Sequence, residues 1–261
     1  MFNESPIPLG RQVRLNRIFA HPSGRLCSVA VDHFFAYPGA MPPGLADLPA
    51  TIRAVVAGRP DAITMQKGAA LACWGEHAGK LPLILQSYLG RAVETVDELI
   101  ATPEDALRLG ADAYATVAYV RGRTEVPHLA RVARLARQCH AWEMPLVLHI
   151  YPRAFAADGT PSIVHDAEDV AWAVRCAMEV GVDLIKVPYS GDVASYRQIV
   201  STCPVPIVAA GGPKAQSLDA ALKMAREVVA AGARGLTVGR NVWGFADVTA
   251  AVRAFVEAVH G

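Results

Sequence analysis

The sequence predicts an α/β protein, a single (β/α)8 TIM barrel with a short N-terminal extension, on three observations. A length of 261 residues suits one such barrel, eight short apolar runs alternate with segments of helical period, and no Ser/Gly/Pro-rich linker divides the chain. The alternation persists to the C-terminus, as repeated βα units around parallel strands require. Residues 1–261 therefore read as one domain, with 1–25 as an extension over the barrel.

Strands buried on both faces are almost continuously apolar. The eight runs of that kind are Leu26–Val31, Ala62–Gln66, Leu83–Gln86, Ala113–Val117, Leu146–Ile150, Leu184–Val187, Ile207–Ala210 and Gly235–Val238. Helical periodicity marks Leu48–Ala57, Gly68–His77, Pro103–Leu109, Val126–Ala141, Ala167–Glu179, Val193–Ser201, Gln216–Ala231 and Asp247–Val259, with Asp166 and Ser217 placed as N-caps. Arg11–Arg25 reads as a short helix over the barrel floor, its four arginines needing to be no more than a solvated face. Val93–Thr102 reads either as a linker or as an edge of the third strand.

Hydrophobic residues make up 52% of the chain, ample for one large core, and a net charge of +1 supplies no basic field for nucleic acid. Five cysteines, odd in number, widely spaced and never in a Cys-x-x-Cys pair, argue against a disulfide framework and a zinc site and fit a reducing, cytoplasmic setting. Met1–Pro6 has no charged start leading into an apolar stretch, and no segment approaches the roughly 20 apolar residues a membrane span needs. Neither secretion nor membrane insertion is expected. His33, His77, His149 and His165 lack metal-ligand spacing, and neither Gly-x-Gly-x-x-Gly nor Gly-x-Ser-x-Gly occurs. The sequence thus calls for no metal and no dinucleotide cofactor, and loses the easiest hydrolase reading.

In a barrel of this kind reactive side chains sit at the strand C-termini, and most of the runs end there in a polar group or a glycine turn. Asp32-His33, Gln66-Lys67, Gln86-Ser87, Gly211-Gly212 and Gly239-Arg240 close runs, and Tyr151 and Arg153 follow one. Lys186 is the strongest candidate. It is one of five lysines against twenty arginines, and Leu184, Ile185, Val187 and Pro188 bracket it. An ammonium there loses hydration, so its pKa falls and the neutral amine becomes a nucleophile toward a carbonyl, giving an iminium that draws electrons from a neighbouring C–C bond. Pairing with Asp183 or Asp192, or snorkelling to the rim, is the structural alternative.

Asp32, at the mouth of the first strand, suits holding a substrate hydroxyl or relaying a proton; an N-cap or an arginine partner is its plainer role. Tyr151 is a phenol followed by Pro152, suited to acid/base work over an iminium, though buried tyrosines with a structural hydrogen bond are common. The turns Gly211-Gly212-Pro213-Lys214 and Gly239-Arg240-Asn241 follow the seventh and eighth runs, the loops that in such barrels bind phosphate through backbone N–H groups. Lys214 and Arg240 would add charge there; two tight turns that need glycine are the alternative.

Taken together, Val31-Asp32-His33, Met65-Gln66-Lys67-Gly68, Tyr151-Pro152-Arg153, Ile185 to Asp192, Gly211 to Lys214 and Gly239 to Trp243 resemble the class I, Schiff-base aldolases of the archaeal fructose-bisphosphate aldolase group. That group lies within the family that also holds deoxyribose-phosphate aldolase. The resemblance spans about Leu26 to Trp243. It implies Lys186 as the Schiff-base lysine, Tyr151 as proton donor and acceptor, and Asp32 as its assistant at the cleaved bond. It further implies Gly211, Gly212, Lys214, Gly239 and Arg240 as phosphate ligands and His33 and Arg153 as further substrate contacts. The substrate implied is a phosphorylated sugar, fructose 1,6-bisphosphate being one candidate, with no cofactor. The group also holds transaldol-type synthases of amino-dideoxy-heptulosonate and acyl transferases acting on phosphorylated sugars.

Its members commonly form rings, which implies a homo-oligomer with Trp142 or Trp172 available at a contact. Two loops depart from the group. Gln86-Ser87-Tyr88-Leu89-Gly90 carries a tyrosine where smaller hydroxyl residues are usual, and Phe34-Phe35-Ala36-Tyr37-Pro38 replaces a glycine after the histidine. Rival classes are a phosphosugar isomerase or transferase using Lys186 without a covalent bond, and a silent phosphosugar-binding protein.

Overall fold

The computed structural model describes residues 7–36, 40–92 and 98–261; residues 1–6, 37–39 (with Tyr37 and Pro38 of the first loop) and 93–97 lie outside the described residues. Eight parallel strands close on themselves: β1 (Leu26–Ala30), β2 (Ala62–Gln66), β3 (Leu83–Gln86), β4 (Ala113–Val120), β5 (Leu146–Phe155), β6 (Leu184–Pro188), β7 (Ile207–Ala210) and β8 (Gly235–Val238). Each pairs with its sequence neighbours, and β8 returns to β1 in register from Leu26 opposite Gly235 to Val29 opposite Val238. All eight predicted runs are strands of this (β/α)8 barrel. Two run further than their apolar stretches suggest. β4 continues to Val120 alongside β5, and the end of β5 turns into an antiparallel pairing of Arg153–Phe155 with Pro161–Ile163.

The helices are α1 (Leu9–Ile18), α2 (Leu48–Ala57), α3 (Lys67–Cys73), α4 (Pro103–Arg108), α5 (Glu125–Ala141), α6 (Ala167–Glu179), α7 (Val193–Ser201), α8 (Leu218–Ala230), α9 (Arg240–Trp243) and α10 (Val248–His260). Asp166 and Ser217 accept from the backbone N–H groups of Asp169 and Ala220, capping α6 and α8 as expected. The helix expected over Gly68–His77 breaks before Gly75, a poor helix former, and resumes as a 3-10 turn over Gly75–His77. The one-turn α9, too short for periodicity to reveal, follows Gly239 directly. Of the segment Val93–Thr102, Glu98–Leu99 pairs with Tyr88–Leu89 as a two-stranded ribbon just beyond β3, and Thr102 caps α4 in a reciprocal box with Asp105.

The strand alternation sorts side chains between two cores. Ile185 and Val187 pack outward among the helices, as do Leu146, Leu148 and Ile150. Inside, Leu26, Ala62, Ile84, Ala113, Ala115, Val147, Leu184 and Val208 form an apolar floor layer that Ile18 of α1, with Phe19, closes from below. Two residues further along the same strands the buried set is polar: Ser28, Thr64, Gln86, His149 and Lys186. The floor arginines are more than a solvated face. Arg11 pairs with Asp183 at 3.1 Å and Arg17 with Asp112 at 3.3 Å, while Glu143 accepts the Gly10 N–H at 2.6 Å, so α1 is tied to the barrel at three points.

Because Ile18 is completely buried, truncating it opens a void beneath the inner layer. Ile18→Ala should lower stability by about 3 kcal/mol in chemical denaturation. A loss under about 1 kcal/mol would show that the floor does not depend on this side chain.

Candidate active site

The polar layer and the loops above it hold the candidate chemistry. Lys186, in the middle of β6, points inward and is only 4% exposed. Its structural alternatives are taken: Asp183 is bound at the floor by Arg11 and the Leu146 N–H, and Asp192 caps α7 through Ala194 and Ser195. Lys186 instead lines two adjoining cavities. One, of about 330 Å³, is bounded by Asp32, Gln86, His149, Tyr151 and Arg240, among others. The other, of about 240 Å³, is bounded by His33, Gly211, Gly212, Gly239 and Arg240, and shares Tyr151 and Lys186 with the first.

The strands therefore bring together Lys186, Tyr151, Asp32, His33, Gly211, Gly212, Gly239 and Arg240. Lys214 and Arg153 are not among them. The Lys214 ammonium lies 5.3 Å from the Phe245 ring centroid and lines a neighbouring cavity beside Trp243, which meets the recess at Arg240. Arg153 turns away into the wall, donating to the carbonyls of Ala92 and Arg121 and to the Thr124 hydroxyl, which staples the loops after β3 and β4 to the end of β5.

Close approach explains two of the glycines and conformation a third. A β-carbon on Gly211 would stand 2.9 Å from the Val238 α-carbon, one on Gly239 would overlap the His33 ring, and Gly212 adopts φ +67°. Asn241 joins the two turns: its amide donates to Gly211 O at 2.8 Å and Pro213 O at 2.9 Å, and its carbonyl accepts the Ala215 N–H at 2.7 Å. Above them Arg240 keeps a buried Nε–H with no hydrogen-bond partner among the described residues, a donor suited to an incoming anion.

The protonation states follow from burial and neighbours. Burial pulls the Lys186 pKa down to about 8; Asp32 works against that shift and Arg240 adds to it. Burial opposes the Asp32 carboxylate, but a hydrogen bond and charge from His33, with Lys186 behind, outweigh it and hold the group well below the usual carboxylate range. Tyr151 is raised above the ordinary phenol value, by burial first and then by Asp32, with Arg240 partly offsetting, so it stays protonated. Burial and the nearby Lys186 keep His149 neutral.

Gln86 links two of these groups and received no role from the sequence. Its Oε1 accepts from the Ser87 and Tyr88 backbone N–H groups at 2.9 and 3.0 Å, which turns its NH2 toward Asp32 Oδ2 and His149 Nδ1, each at 3.2 Å. His149 Nδ1 must then accept, placing its proton on Nε2. Counting inward positions would have found both: His149 lies one inward step below Tyr151, and Gln86 ends β3 pointing in.

An amine titrating near neutrality, a fixed carboxylate, a protonated phenol and an anion-sized recess make a site for covalent carbonyl chemistry. Comparison with known proteins agrees. Residues 26–244 match the DeoC/LacD family aldolase description. A 2-amino-3,7-dideoxy-D-threo-hept-6-ulosonate synthase of Halobacterium salinarum is 34% identical over 254 residues, covering 96% of this chain and 92% of its own. A class 1 fructose-bisphosphate aldolase of Thermoproteus tenax is 33% identical over 210 residues, covering 77% of this chain and 75% of its own. The crystal structure of an archaeal fructose 1,6-bisphosphate aldolase superposes with a TM-score of 0.84 at 30% identity, covering 96% of this chain and 99% of that one. In another such structure, with a TM-score of 0.83, 29% identity and coverage of 96% and 100%, the catalytic lysine is covalently bound to the carbinolamine intermediate of the substrate. The chain belongs to the DeoC/LacD family of aldolases.

Proposed function

We propose that this enzyme makes or breaks a C–C bond in a phosphorylated ketose through a Schiff base on Lys186, in a single catalytic unit. The observation that carries the reading is the place of Lys186 at the junction of the two cavities, with the Gly211, Gly212, Gly239 and Arg240 recess on one side and Asp32 on the other. A phosphate held in that recess presents the ketose carbonyl to the amine, converting a collision into an oriented encounter.

In cleavage, the neutral amine adds to the carbonyl and loses water to give an iminium. Tyr151 takes the proton of the hydroxyl next to the breaking bond as its own phenol proton passes to the Asp32 carboxylate; the electron pair flows into the iminium and leaves an enamine. Protonation and hydrolysis of the enamine then free Lys186. Condensation runs the same steps in reverse. Arg153 and Lys214 have no part in this scheme, since their side chains are engaged elsewhere.

A second reading has a specific observation behind it: the heptulosonate synthase resembles this chain over 96% of its length, against 77% for the Thermoproteus tenax aldolase. A transaldol-type transfer uses the same iminium and differs in the acceptor. In either case we place the protein in the cytoplasm as a homo-oligomer, for which Trp142 and Trp172, 45% and 44% exposed, offer contact surface. Among the described residues no helix is long and apolar enough to cross a membrane.

Borohydride added with dihydroxyacetone phosphate should leave a mass increase that peptide mapping places on Lys186, and Lys186→Met should show neither adduct nor turnover. An adduct on another residue, or turnover in the variant, would overturn the mechanism. The pH profile is set by the same nitrogen. Single-turnover imine formation should fall about tenfold per pH unit below an apparent pKa near 8. Because Arg240 depresses the Lys186 pKa, Arg240→Gln should move that limb to higher pH as well as weaken substrate binding.

Stability should change with pH in the same direction as activity. The amine has a lower pKa folded than unfolded, so the native state carries a penalty that is complete below about pH 8 and gone above the ordinary lysine value of 10.5. Lys186→Met removes it and should stabilise the protein by about 3 kcal/mol at pH 7, with the gain vanishing toward pH 10.5. Denaturant titrations at the two pH values measure the difference, and an equal gain at both would locate its cause elsewhere.

A further inference from the structure

On the other side of Asp32 from the anion recess, a further cavity of about 420 Å³ opens among the loops after β1, β2 and β3. Phe34, Met41, Leu45, Leu48, Ala69 and Ile100 line most of it, and it meets the catalytic cavity at Asp32, Phe35 and Gln66, which belong to both. No lysine or arginine lines it among the described residues. Its outer rim leaves two large apolar side chains in water, Phe34 at 50% and Met41 at 53% exposure.

Resting on the Schiff-base reading, we propose that this cavity receives an apolar tail on the aldehyde partner of the reaction, so that the preferred aldehyde is an uncharged, alkyl- or aryl-bearing one. The direction of the substrate supports the placement. With its phosphate at Gly211, Gly239 and Arg240 and its carbonyl carbon on Lys186, the bond being formed lies toward Asp32, and the chain beyond that bond continues into the space Asp32 borders. A phosphate in this cavity would meet no lysine or arginine among the described lining residues, Arg91 bordering only the catalytic cavity with its Nε bonded to the Phe35 carbonyl, and would face the Asp32 carboxylate. A hydrocarbon tail would cover Phe34 and Met41 instead. The chemistry balances without a further reactant: the enamine carbon bonds to the aldehyde carbon, the aldehyde oxygen takes a proton, and the water lost in forming the iminium returns when the β-hydroxy ketone leaves.

Dihydroxyacetone phosphate as donor with straight-chain aldehydes from propanal to hexanal gives the test, read as kcat/KM beside glyceraldehyde 3-phosphate. Efficiency should rise about threefold to fourfold per methylene, and hexanal should exceed the phosphorylated aldehyde. Gly68 lines the cavity and has no heavy atom within 4 Å of where its β-carbon would stand. Gly68→Leu should therefore fill the space and flatten the series, with the borohydride adduct on Lys186 showing that the variant is folded. A flat series in the unaltered enzyme, or a preference for glyceraldehyde 3-phosphate, overturns the apolar-tail assignment while the Schiff base stands. Absence of any Lys186 adduct with the donor alone overturns both.

Discussion

An ammonium group sealed inside a protein cylinder is the constraint around which this molecule is arranged. Water would hold the charge of Lys186 far better than the barrel does, so the fold must either compensate the charge or let it go. It does some of each. Asp32 stands near enough to make the cation tolerable, and Arg240 stands near enough to make the neutral amine competitive. The two charges pull in opposite directions on one nitrogen, and burial decides the balance. A lysine on the barrel's outer wall would have its stem packed and its charge hydrated, with no reactivity to follow.

The surroundings keep that balance from drifting. Gln86 cannot rotate its amide without abandoning two backbone N–H groups, so Asp32 and His149 meet donors of fixed sign. Asn241 does the same for the recess, bonding both glycine turns so that neither can move alone. Arg153, expected to touch substrate, ties two loops to the end of β5. Such supporting groups set the precision of a site made from several separate strands.

Much of this was legible in the residues. Apolar runs located every barrel strand because burial on both faces demands them, and a lysine among Leu184, Ile185, Val187 and Pro188 has few structural explanations. The glycine turns at 211–212 and at 239 were legible by position alone. The direction of the Lys214 side chain was not legible, because adjacency in sequence to a glycine turn does not determine where four methylenes reach; its ammonium lies toward the Phe245 ring. Gln86 and His149 escaped for a related reason. Neither forms a motif, and each acquires meaning only when the alternation of two distant strands is overlaid in register. The tie of Arg11 to Asp183 spans 172 positions and has no local trace.

The stopper formed by Ile18 and Phe19 has a corollary for access. With its base filled, the cylinder gives no passage along its axis among the described residues, so Lys186 is approached from the mouth alone, where the glycine turns border it on one side and the loops after β1, β2 and β3 on the other.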